Sequence, residues 1–306
     1  LPFVPPKLEN GVLSGSGSAD MKAGLAAAVE AMRALRDTGA LEAGEILFTA
    51  YDHHEGPWGD RRQLLGLIDA GYVGDAVLIP EYLAQPLPYI GRGSGIFHIR
   101  LSRAGEPIHE VFRPPDQPDV LRAGAELVCE LCRWNDRFAA NDTANDPGSG
   151  GVRDSVFVGS IASGEMYNQS PTECRISGTR RWVVPGAAER VQREFESYVR
   201  AFAQERRLSL ELDYHVSAEA FRIEPDSPIV VALQQAHEIV AGRRLELGQK
   251  PFVDDGNTIV SACGVPALTH GPAASGAHTS DEWVAIDELV RVARVYALTA
   301  YLFCKG

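Results

Sequence analysis

Asp20 follows Gly15-Ser16-Gly17-Ser18-Ala19 and directly precedes a helical stripe, so its carboxylate sits at a loop-to-helix junction where backbone amides converge. Helix capping is the simplest use of an Asp there. A dinucleotide-binding loop is disfavoured, because Asp20 stands where G-x-G-x-x-G needs its third glycine and a carboxylate there repels pyrophosphate. Asp52-His53-His54-Glu55-Gly56-Pro57 follows an apolar run, at the carboxyl end where open α/β sheets place their ligands. Glu81, in Ile79-Pro80-Glu81-Tyr82, takes the matching place after a second run, although alone it reads as a solvated carboxylate. The small-residue loop Gly271-Pro-Ala-Ala-Ser-Gly-Ala-His278 delivers one imidazole ahead of the final helix, where alone it reads as a helix N-terminal residue. Together Asp20, Glu55, Glu81 and His278 make a donor set for a borderline divalent metal, since Zn²⁺ accepts imidazole nitrogen and carboxylate oxygen.

The elements that must position these groups follow from periodicity. Met21, Leu25, Val29, Met32 and Leu35 recur at three and four, which predicts a helix from near Asp20 to Gly39. Residues 45–50 read as a buried strand, 61–70 as a helix and 76–79 as a second strand, an alternation that indicates parallel α/β layering. After Pro88 the pattern changes. Strands at 95–101, 155–161, 173–182 and 208–214, with helices at 119–138 and 187–206, compose a β-α-β-β-α-β unit of ferredoxin-like type. The Asn-, Asp- and Gly-rich stretch 140–151 reads as a surface loop within it. Helices at 229–241 and 281–303 and a strand at 266–269 restore the first pattern. The fold class expected is therefore α/β: a mixed, largely parallel sheet domain over 1–92 and 216–306, interrupted by an inserted α+β domain over 93–215.

Composition narrows the function classes. The 306 residues are 45% hydrophobic and 23% charged, which describes an ordinary globular chain of about two domains. Twenty-nine Lys and Arg against 41 Asp and Glu give a formal charge of -12, which opposes affinity for phosphate backbones or anionic lipid, so neither nucleic acid nor membrane is expected as a partner. Five cysteines, odd in number, do not make a disulfide framework; Cys129 and Cys132 read as reduced core thiols in a helix. No apolar run reaches the length of a membrane span and no signal peptide opens the chain, so a cytoplasmic address is expected.

The ordered set S-G-S-G-S-A-D-M-K-A-G, H-E-G-P, P-E, G-E-P-I-H, N-Q-S-P, D-D-G-N and G-P-A-A-S-G-A-H-T-S-D-E-W resembles the dinuclear-zinc amidohydrolase and metallopeptidase family of aminoacylase, acetylornithine deacetylase, succinyl-diaminopimelate desuccinylase and glutamate carboxypeptidase. The likeness runs along essentially the whole chain. It implies a zinc-binding α/β domain, holding two Zn²⁺ per subunit with Co²⁺ or Mn²⁺ as substitutes, and an inserted lid through which the protein forms a homodimer. By position Asp20 matches the carboxylate that bridges the metals, Glu55 and His278 ligands of one metal, and Glu81 a ligand of the other. His109 matches the lid histidine that reaches the partner's active site, where it would donate to a developing oxyanion. Asn168, Arg181 and Asn257 match substrate-binding positions, although Arg180 could serve in place of Arg181 and a plain turn equally explains Asp255-Gly256-Asn257.

Two departures qualify the resemblance. The family's general base is the first Glu of a doublet, and His54 holds that place here; a neutral imidazole beside a metal dication is a competent base at pH 7. The family's His-x-Asp segment, upstream of D-M-K, is not in this sequence, so weak binding of one metal is expected of the chain as given. The activity implied is hydrolysis of an amide bond in an N-acyl amino acid or short peptide by metal-activated water. The alternative is a catalytically silent, metal- or peptide-binding dimeric homologue.

Overall fold

The computed structural model describes residues 3–52, 54, 61–140, 153–250 and 252–305. The chain divides into two compact units, Leu1–Gly91 with Arg222–Gly306 and Arg92–Phe221. The fold class is the α/β one expected, with an α+β insertion.

In the discontinuous unit the helix Lys22–Thr38 buries Ala23, Ala27, Ala31 and Leu35 and ends at Gly39, whose φ of 62° closes the last turn. Ala27 and Ala31 pack on Val292 and Tyr296 of the terminal helix Ile286–Lys305. The strand Val77–Ile79 pairs in parallel with Ala267–Thr269, and Leu87–Gly91 in parallel with Leu247–Gln249. Leu64 of the helix Arg62–Asp69 and Ile259 of the helix Asp255–Cys263 close over Ile79 and Ala267. A separate antiparallel sheet joins the two ends of the chain, with Val12–Ser14 paired to Trp283–Ala285.

Residues 45–50 do not form the strand that their apolar pattern predicts. A strand exists through a neighbour's ladder, and this run forms none with any described strand; Leu47 stays 53% exposed. The terminal helix also starts later than expected, because residues 283–285 are held in the antiparallel sheet. His278 therefore lies in a loop, with a φ of 61°, rather than at a helix N-terminus.

The inserted unit has the β-α-β-β-α-β order. Its strands Gly93–Ser102, Ser155–Ser163, Glu173–Trp182 and Ser209–Ala218 make one antiparallel sheet, with Ser209–Ala218 beside Gly93–Ser102, then Glu173–Trp182, then Ser155–Ser163 at the edge. One sheet face buries Phe97, Ile99, Leu101, Cys174 and Ile176 under the helices Val120–Ala140 and Ala188–Glu205. Val120, Ala123, Leu127, Leu131 and Trp134 form the buried stripe of the first helix. Cys129 and Cys132 lie off that stripe and are exposed, as is Cys263, so they are not the core thiols expected; Cys174 is buried. Most of the stretch read as a surface loop, 141–151, lies outside the described residues.

Candidate active site

Two close backbone approaches build the site. A Cβ on Gly24 would stand 1.7 Å from the Pro80 carbonyl oxygen, and one on Gly271 would stand 1.7 Å from that of Glu81. Only glycine lets the first helix and the strand-end segment at 270–271 lie against Pro80-Glu81 in this way. Ile79 and Leu83 accept the His270 and Gly271 N–H groups at 3.1 and 2.9 Å, which fixes Glu81 against the start of the segment that leads to His278.

Asp20 does not cap its helix. Met21 is the N-cap residue and no side chain caps that end; Asp20 Oδ2 instead lies 2.8 Å from His278 Nε2. Glu282, four residues beyond His278, explains how the two loops meet. Its Oε2 accepts the backbone N–H groups of Gly17, Ala19 and Asp20 at 2.9, 3.1 and 3.3 Å, while its carbonyl accepts from Gly15 N at 3.1 Å. The amides of the glycine-rich loop thus converge on an anion that the chain itself supplies, which leaves the loop no role as a pyrophosphate cradle.

Glu81 is 5% exposed, and no described group hydrogen-bonds its Oε2. Burial first, then the charges of Asp20, Asp254 and Asp255, push its carboxyl up to about 8, with His54 acting in the opposite sense. Among the described residues no three His, Cys, Asp or Glu side chains form a complete metal-binding group. The donors nevertheless suit a borderline divalent cation: a buried, orphaned carboxyl oxygen crowded by like charges, and a carboxylate already in contact with an imidazole. Glu55, the remaining ligand expected, lies outside the described residues, as does His53.

His54 is held on the same side of this unit. Its Nδ1 lies 3.0 Å from Asp255 Oδ1, and the Tyr51 hydroxyl donates to Asp255 Oδ2. Burial and the neighbouring carboxylate raise the Tyr51 phenol above its ordinary range, so it keeps its proton and acts as a donor. Asp255 and Asn257 are in the first turn of the helix Asp255–Cys263 rather than in a plain turn. Asp254 is the N-cap; its Oδ1 accepts from Gly256 N at 2.8 Å and pairs with Lys250, and its Oδ2 accepts from Thr269 Oγ1 at 2.6 Å. Asn257 is fully buried, with its N–H bonded to the Asp254 carbonyl at 3.2 Å.

Within the inserted unit, His109 and Asn168 are neighbours. The two-residue strands Ile108–His109 and Gln169–Ser170 pair, Asn168 directly precedes the second, and His109 Nε2 lies 3.2 Å from Asn168 Nδ2. The pleat puts Arg180 and Arg181 on opposite faces of the sheet. Arg180 faces the helices, where it binds Asp154 at 2.7 Å and lies 4.5 Å over the Phe138 ring. Arg181 takes the opposite face, half-buried, and among the described residues no carboxylate pairs with it. Burial lowers the guanidinium pKa of Arg181, and burial together with the Arg181 charge lowers that of Arg92. Tyr51, Arg92, Asp254, Asp255 and Glu282 are absent from the site expected from sequence. Only the D-D doublet and the acid after His278 gave any sign of them.

These observations agree with the comparisons to known proteins. Residues 1–301 match peptidase family M20/M25/M40. The chain belongs to that family. It is 26% identical over 305 residues to succinyl-diaminopimelate desuccinylase of Nitrosococcus oceani, covering 97% of this chain and 76% of the relative. It is 23% identical to N-formyl-4-amino-5-aminomethyl-2-methylpyrimidine deformylase of Halalkalibacterium halodurans, covering 97% and 73%. Among solved structures, aminopeptidase PepT of Bacillus cereus superposes with a TM-score of 0.75 at 18% identity, covering 98% of this chain and 76% of the other. The dipeptidase Dug1p of Saccharomyces cerevisiae gives 0.69 at 14% identity, covering 98% and 75%. As a member of this family the chain is a hydrolase of the metal-using kind. Among the described residues no helix is long and apolar enough to cross a membrane.

Proposed function

We propose that the protein hydrolyses the amide bond of an N-acyl amino acid or a short peptide, using divalent metal held by Asp20, Glu81 and His278, with Glu55 as a further ligand. The observation that carries this reading is Asp20, which bonds His278 and whose charge reaches buried Glu81. The curated relatives remove acyl groups and the structural relatives are peptidases, which supports an amide bond as the target.

The chemistry that zinc, cobalt or manganese supplies there when bound is Lewis acidity toward a carbonyl and toward water. His54 accepts the proton of the attacking water and returns it to the departing nitrogen, so that the C–N bond breaks and a carboxylic acid and an amine are released. His109 donates to the developing oxyanion, and Asn168 beside it contacts the substrate. Arg181 binds the substrate's carboxylate, and Arg92 adds a second positive charge beside it; the desolvated Arg181 guanidinium, which no carboxylate among the described residues pairs, is suited to a carboxylate ligand. A homodimer through the inserted unit and a cytoplasmic address belong to the same reading. The dimer is supported by the edge strand Ser155–Ser163, which leaves Phe157 66% exposed.

The test is amine release from N-acyl amino acids and dipeptides by the full chain, with each metal and with chelator. Release that needs the metal is expected; none with any metal or substrate overturns the reading.

A further inference from the structure

Tyr51 and Asp255 form a hydrogen-bonded chain that ends on His54, and neither is assigned a part in the reaction described above. Asp255 Oδ2 receives the Tyr51 hydroxyl, which leaves Oδ1 directed at His54 Nδ1 at 3.0 Å. The carboxylate sits in the first turn of the helix Asp255–Cys263, so the backbone of that turn fixes where it points from. It is buried, with the side chain 12% exposed, so its two acceptor oxygens are satisfied by protein groups. Asp254 anchors the same turn from the other side: it caps the helix and is fixed in turn by Lys250 and Thr269. Asp255 is therefore carried on a turn that is locked from below, while Tyr51 sets the rotation of its carboxylate.

An ionised carboxylate only accepts, so the proton of the His54–Asp255 bond belongs to Nδ1. That assigns the imidazole lone pair to Nε2. A histidine standing where the family carries a glutamate base faces a problem that glutamate does not: its two ring nitrogens are inequivalent, and only one tautomer presents the basic nitrogen away from its anchor.

We propose that Asp255, braced by Tyr51, is a positioning residue that fixes the tautomer and ring orientation of His54 so that Nε2 is the proton acceptor. The catalytic half of this inference rests on the reading of His54 as the base; the tautomer half stands alone. The pair is what makes His54 a workable replacement for a carboxylate.

The test is long-range ¹H–¹⁵N correlation on the full chain labelled with ¹⁵N-histidine and equilibrated with Zn²⁺, with the His54 signals identified by their loss in His54→Gln. Nδ1 of the protonated type with Nε2 of the unprotonated type is expected. In Asp255→Asn the side-chain amide can instead donate to Nδ1, so the other tautomer is expected to appear, and kcat to fall by about 10²-fold or more while KM changes little. Tyr51→Phe is expected to keep the tautomer with a smaller fall in kcat. A wild-type His54 carrying its proton on Nε2, or on both nitrogens, overturns the proposal. So does an Asp255→Asn protein with unchanged tautomer and turnover. Should Asp255→Asn fail to fold, the wild-type spectrum and Tyr51→Phe still decide it. Should no substrate be hydrolysed, the spectrum still decides the positioning, and the loss falls on the functional reading alone.

Discussion

Glu282 holds Asp20 in place: one carboxylate oxygen accepts the Asp20 backbone N–H at 3.3 Å and those of Ala19 and Gly17 at 3.1 and 2.9 Å, across more than 260 residues of sequence. Because Glu282 lies four residues from His278, this buried carboxylate sets both Asp20 and the imidazole it contacts. Replacing it with glutamine keeps the volume but removes the charge from three N–H bonds. Glu282→Gln is expected to lose about 1–3 kcal/mol of stability in a denaturant titration and to weaken metal binding. Unchanged stability together with unchanged metal binding would show that the loop holds itself.

The two adjacent arginines are expected to separate cleanly. Arg180 is 1% exposed and paired with Asp154, so Arg180→Met breaks a buried ion pair and is expected to cost about 3 kcal/mol. Arg181 is desolvated with no carboxylate among the described residues to offset it, so Arg181→Ala is expected to leave stability within about 0.5 kcal/mol. It is expected to raise KM roughly 10- to 100-fold for substrates bearing a carboxylate, with kcat kept. Denaturation curves and steady-state kinetics on both variants check this pair.

That separation also shows where the sequence stops informing. Spacing sufficed for the helix Lys22–Thr38, whose apolar stripe and terminal glycine are local, and for the inserted unit, where Phe97, Ile99 and Leu101 alternate with more exposed residues. It failed for 45–50, because apolar character does not supply a neighbouring strand, and for Asp255–Cys263, because D-D-G-N holds poor helix formers that a side-chain cap rescues. Cys129 and Cys132 were misplaced by their helical context alone; the buried stripe passes through Leu127 and Leu131 instead. Asp20, Glu81 and His278 were legible as metal-binding types at element ends. The groups that hold and tune them, Glu282, Asp254 and Asp255, act across the whole chain length, and no local pattern encodes such contacts.

His270 gives a pH prediction. It is wholly buried among His237, Arg291, Tyr296 and Glu288, and burial first, then the Arg291 charge, lowers its pKa from 6.5 to about 3. The folded state thus keeps it neutral where the unfolded chain binds a proton. This contribution is intact above about pH 6.5 and is lost as pH falls toward 3, at roughly 1 kcal/mol per pH unit. Midpoints measured between pH 4 and 7 are expected to fall less steeply in His270→Phe than in the wild type; parallel slopes would remove His270 from the acid limb.

Metal affinity should follow the residues that meet at Asp20. Asp20→Asn and His278→Ala are each expected to reduce the Zn²⁺ retained per chain after gel filtration, measured by elemental analysis. Glu81→Gln removes the carboxyl raised by its acidic neighbours and is expected to do the same while leaving the metal-free chain at least as stable. Retention equal to the wild type in all three would place the metal elsewhere.

The most direct single measurement is amine released from a panel of N-acyl amino acids and dipeptides by the full chain loaded with Zn²⁺, Co²⁺ or Mn²⁺, run beside His54→Ala. The expected result is turnover that needs the metal and falls by about 10²-fold or more without His54. Metal-loaded protein that releases no amine from any member, or that works equally well without His54, would contradict a hydrolase in which this imidazole carries the proton.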